Sequence, residues 1–107
     1  AEELRLSAYK RLDSMRTVED VRRFREELRD RFGVLPEPAH TLLDVTLTRV
    51  AAANGGAERL AVRNATVYFE TRSGILRTSG NRNPRLKSKD PGKKLQELKR
   101  FVLSRLQ

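Results

Sequence analysis

Between Thr17 and Pro38 the chain reads TVEDVRRFREELRDRFGVLPEP, and this stretch fixes one helix and the start of the next. Thr17 stands three residues before Asp20, the spacing of a capping box, in which each side chain satisfies a free N–H at the helix start. Val21, Phe24, Leu28 and Phe32 follow at spacings of three, four and four, which sets four apolar side chains on one helical stripe. Gly33 supplies the left-handed residue that ends helices. Pro36 and Pro38 suit the first turn of a new helix, where a missing N–H costs nothing. The pattern predicts a helix over 18–32 that buries Phe24, Leu28 and Phe32 against the helices before and after it.

The opposite face is acidic. At about 100° per residue, Glu26, Glu27 and Asp30 gather on the side away from Phe24 and Leu28. They lie toward the C-terminal half of the helix, where the dipole disfavours acids. Arg22–Glu26 and Arg23–Glu27 are i,i+4 pairs in the weaker orientation. Two readings follow: a solvated charged face, or a docking patch for a basic partner.

A first helix is expected from Glu2 to about Ser14, with Leu4, Ala8, Tyr9 and Leu12 on one face and Glu2 and Glu3 favouring its start. Tyr9 reads as a packed aromatic with its hydroxyl at the rim. A third helix runs from about Pro36 or Pro38 to Asn54, stopped by Asn54-Gly55-Gly56. His40 lies in its first turn with no second His and no Cys to complete a metal site, and no partner to support catalysis.

After Gly56 the pattern changes to alternation. Leu60, Val62, Val67 and Phe69 flank Asn64-Ala65, a candidate hairpin turn whose type is open because Ala is not a favoured turn residue. Ser73-Gly74 reads as a second turn, with Ile75-Leu76 opening a third strand. Ser79 to Lys89 is a polar, basic loop broken by Gly80 and Pro84, with a short strand expected at Arg85 to Lys87. Asp90-Pro91 is an N-cap and first-turn pair. It starts a last helix with Leu95, Leu98, Val102 and Leu106 on one face and Lys93, Lys94, Lys99, Arg100 and Arg105 mainly around the remainder. A basic amphipathic helix of this kind also suits a membrane surface, but packing on the sheet or the other helices is the plainer reading. The fold class is therefore α+β: three N-terminal helices, a small mainly antiparallel sheet and a closing basic amphipathic helix.

Composition narrows the function. The 107 residues include no cysteine and carry a net charge of +9. The whole excess falls in the second half, since residues 1–56 hold 10 Lys+Arg against 10 Asp+Glu. One domain is expected over 1–107, helical over 1–56 and sheet plus helix over 57–107. Without cysteine there is no disulfide framework or thiolate metal site, which permits a reducing cytoplasm. No run approaches a membrane span, and none reads as a secretory signal. A start at Ala1 suggests a piece of a longer protein. Phosphate-loop, dinucleotide-turn, zincin and nucleophile-elbow motifs do not occur, so no catalysis and no cofactor are expected of the piece itself. Zinc-finger, RNP and GXXG patterns do not occur either.

Glu27-Leu28-Arg29-Asp30-Arg31-Phe32-Gly33-Val34-Leu35-Pro36-Glu37-Pro38 resembles a motif of the C-terminal domain of bacterial transcription-repair coupling factors. The likeness extends to Arg5–Leu12 and to Leu42–Val45, covering the first half of the chain well and the second half loosely. The resemblance implies a parent that is an ATP-driven DNA translocase, with ATP and Mg bound in its motor. That parent displaces RNA polymerase stalled at lesions and recruits nucleotide excision repair. It further implies that this domain lacks the motor and docks on the UvrB-like N-terminal region of the same chain. Docking there masks the surface that binds the excision nuclease subunit UvrA, and it restrains translocation on double-stranded DNA. The family's interdomain contacts match Glu27 and Asp30, with Glu26 beside them. The isolated domain is expected to be monomeric. The alternative is a nucleic-acid module built on residues 57–107, with Arg82, Arg85, Lys87 and Lys89 as candidate phosphate contacts.

Overall fold

The computed structural model describes residues 2–75 and 85–105, with side chains from 7 to 74 and from 85 to 104. Its elements run α1 (Glu2–Asp13), α2 (Val18–Phe32), α3 (Glu37–Asn54), β1 (Arg59–Arg63), β2 (Thr66–Thr71), β3 (Gly74–Ile75) and α4 (Pro91–Arg105). The α+β class and the three-helix, sheet, helix order follow the expected plan.

Local chemistry sets the boundaries. Thr17 Oγ1 accepts the Asp20 N–H at 3.0 Å and opens α2. Gly33, at φ 77°, closes it with its own N–H on the Arg29 carbonyl. Asp90 Oδ2 accepts the Lys93 N–H at 3.0 Å and opens α4. The Thr17 and Asp90 caps each satisfy one of the free N–H groups a helix start exposes, and the Gly33 N–H satisfies one of the free carbonyls at a helix end.

Helix α3 is central because it serves two apolar clusters. On one side Leu43, Leu47 and Val50 pack with Leu12, Val21 and Phe24 of α1 and α2. On the other, Ala51 and Ala52 let the sheet and α4 approach closely, so that Val67, Phe69 and Val102 are fully buried there.

The sheet is antiparallel in the order β1-β2-β3, with Val62 opposite Val67 and Arg63 opposite Thr66. Asn64 at φ 52° and Ala65 at φ 66° form the two central residues of the hairpin turn. Two successive left-handed residues make a type I′ turn, whose twist matches the flanking strands. Along β2, Val67 and Phe69 point into the core while Thr66, Tyr68 and Glu70 stay half-buried, the period of two that a one-sided sheet requires. The strand expected at Arg85 to Lys87 reduces to a single bridge, Arg85 opposite Thr66, reinforced by the Leu86 N–H on the Ala65 carbonyl at 2.7 Å. Leu76 and residues 79–84 of the basic loop, Arg82 among them, lie outside the described residues, as does Leu106.

Three sequence expectations are corrected. Phe32 is 54% exposed, not buried. It keeps the phase of the apolar stripe, but it stands in the last turn of α2 and lines a shallow groove whose other walls include Ser7, Arg11 and Arg31. The i,i+4 pairs within α2 are also different: Arg23 meets Glu19 at 3.5 Å, and Glu27 turns to another helix. Lys99, expected on the outer face of α4, points inward.

Candidate docking interface

The acidic residues of α2 separate into two groups. Glu27 faces α1, where its carboxylate accepts from Arg11 Nη2 at 2.6 Å. The same guanidinium lies 4.4 Å from the centroid of the Phe24 ring, so a cation–π contact orients it. The hydrogen bond from Arg11 is the main reason the Glu27 carboxyl sits below its ordinary pKa, and it raises the guanidinium in turn. Glu27 is thus a link between α1 and α2.

Glu26 and Asp30 make no such tie among the described residues. Both are exposed, and four residues apart they stack one helical turn from each other. Neither has an ion-pair partner among the described residues. The sequence grouped all three acids together, because helical angle alone does not reveal that α1 brings Arg11 across to one shoulder of α2.

The basic candidates are dispersed. Arg85 turns toward the hairpin, donating from Nη2 to the Asn64 carbonyl at 3.4 Å. Lys87 and Lys89 are exposed beside α4. His40 is half-buried, with its backbone N–H on the Pro36 carbonyl. Among the described residues no group of three His, Cys, Asp or Glu converges as metal ligands would, and no helix is long and apolar enough to cross a membrane.

A family model described as TRCF domain matches residues 1–76. The chain belongs to the TRCF domain family. A relative is the transcription-repair-coupling factor of Escherichia coli (strain K12), 46% identical over 56 residues, which is 52% of this chain and 5% of that protein. No solved structure matches.

This TRCF domain has a polar centre that sequence reasoning missed. Asp44, in the middle of α3, is 6% exposed. It accepts from Arg25 Nη2 of α2 at 2.6 Å, from Gln96 Nε2 of α4 at 2.8 Å and from Lys99 Nζ of α4 at 3.2 Å. Burial pushes the Asp44 carboxyl up, but the hydrogen bonds from Arg25, Gln96 and Lys99 together hold it below the ordinary aspartate value. A buried carboxylate is tolerable only when its lone pairs are filled in this way. The signal available in the sequence was a single acid inside an apolar run, Leu42-Leu43-Asp44-Val45.

Proposed function

We propose that this TRCF domain is a non-catalytic regulatory module that docks on the UvrB-like N-terminal region of its own polypeptide. Docked there, it masks the surface for UvrA and restrains an ATP-dependent translocase on double-stranded DNA. The whole protein would displace RNA polymerase stalled at lesions and pass the site to excision repair in the cytoplasm. The observation that carries the docking reading is the pair Glu26 and Asp30, exposed one turn apart and without ion-pair partners among the described residues. Glu27 contributes from the shoulder, its charge already shared with Arg11.

Rim charge pairs of this kind orient a partner and add a weak, salt-sensitive hold. That suits a clamp that must open, because a state favoured by only a few kcal/mol can be released by a partner that binds the open form.

Calorimetric titration of this chain into the N-terminal region of the same protein tests the reading. Replacing Glu26 and Asp30 together by Ala removes two rim pairs, so affinity is expected to fall about threefold to thirtyfold with the fold intact. Equal affinity for the variant and the parent would refute the docking role of this face.

A further inference from the structure

Seven cations lie between residues 85 and 104, and among the described residues one of them, Lys99, has an ion-pair partner. Two acids lie between residues 85 and 104, Asp90 and Glu97, and both are occupied by backbone donors. Asp90 caps α4 through the Lys93 N–H. Glu97 accepts the Lys87 N–H at 3.1 Å on both carboxylate oxygens and the Ser88 N–H at 3.2 Å. The second contact matters for geometry, because it clamps residues 87–88 against the Glu97 face of α4.

That face is basic on both sides of the clamp. Lys93 stands four residues before Glu97 and Arg100 three after it, so all three share one side of the helix. Lys93 and Arg100 are about 10 Å apart along the axis at 1.5 Å per residue. Lys87 and Lys89 arrive beside them on the clamped segment. All four are exposed, and none of them has an ion-pair partner among the described residues. Lys99 is different, since Asp44 takes its charge inside the fold.

We propose that Lys87, Lys89, Lys93 and Arg100 form a sequence-blind surface for the phosphate backbone of duplex DNA. Seven cations against two acids between residues 85 and 104 leave a positive excess, and backbone hydrogen bonds hold both carboxylates away from the four exposed cations, which suits a regular array of phosphates. Duplex rather than single-stranded DNA fits, because among the described residues no exposed large aromatic lies on this face, and single strands are held by stacking bases on such rings. Contacts to phosphate position the protein and carry no sequence information, so binding is by charge. This surface does not depend on the docking role of α2, which occupies a different helix.

Fluorescence anisotropy with a labelled short duplex of mixed sequence, at salt from about 50 to 200 mM, tests the surface. Four neutralised phosphates give a slope of log K against log salt of about −3.6, with Kd on the order of 10⁻⁵ M. Lys93→Ala with Arg100→Ala should flatten that slope by about 1.8 without moving the melting curve. Absent binding at low salt, an unaltered slope in the variant, or equal affinity for polyglutamate or anionic lipid vesicles at matched charge would each overturn the proposal.

Discussion

The Lys99 ammonium lies 3.2 Å from the Asp44 carboxylate, and that contact joins the last helix to the third. Arg25 approaches the same oxygen from the second helix at 2.6 Å. Side chains from three helices therefore meet at one buried charge.

Asp44→Ala would leave two partly buried cations without their counter-charge. Removing one partner of a buried pair costs about 3–5 kcal/mol, and the remaining solvent contact of Arg25 and Lys99 sets the expectation at the lower end, about 3 kcal/mol. Because the Asp44 carboxyl is depressed in the fold, its contribution is fully present above the unfolded aspartate value of about 3.9. It is lost as pH falls through the lower, folded value. Urea melts of parent and Asp44→Asn should therefore differ most near neutrality and converge in acid. A gap that does not change with pH would show that the carboxylate's charge is not what matters.

Phe32→Ala and Phe69→Ala should behave very differently. Phe69 is fully buried, and its truncation is expected to cost about 3–5 kcal/mol. Phe32 is more than half exposed, so its truncation should cost about 1 kcal/mol or less. Paired chemical melts would check this, and similar losses would mean that the end of α2 is covered after all.

The contrast shows where sequence reading stopped. Helix limits were legible because Thr17, Gly33, Asp90 and Pro91 act on their immediate neighbours. Val21, Phe24 and Val102 were legible as core because a periodic stripe must be buried somewhere. Phe32 has the same phase, but phase carries no information about which positions of a stripe another element covers. Asp44 was illegible for a related reason: its donors lie 19, 52 and 55 residues away. In sequence Glu27 reads as part of an outward acidic group, because its tie to Arg11 needs a partner 16 residues away.

The hairpin offers a stabilising change. Ala65 sits at φ 66°, a conformation that costs an L-residue with a Cβ roughly 1–2 kcal/mol. Ala65→Gly would relieve that cost and create Asn-Gly, the favoured pair for a type I′ turn. The Ala65 methyl packs against the second cluster, and glycine loses more backbone entropy, so the net gain should be about 0.5–1 kcal/mol. Thermal melts should move upward by a few degrees, about 4–8 °C per kcal/mol for a domain of this size. A lower midpoint would mean that the methyl contact outweighs the turn strain.

The TRCF family model matches residues 1–76, yet two of the three donors to Asp44 come from residues 96 and 99. Trimming the protein to the matched region would remove the helix that covers Asp44 and leave its carboxylate with Arg25 alone of its three donors. A fragment cut at residue 76 is therefore expected to be less stable than one that keeps the last helix, whatever the reach of its recognisable ancestry.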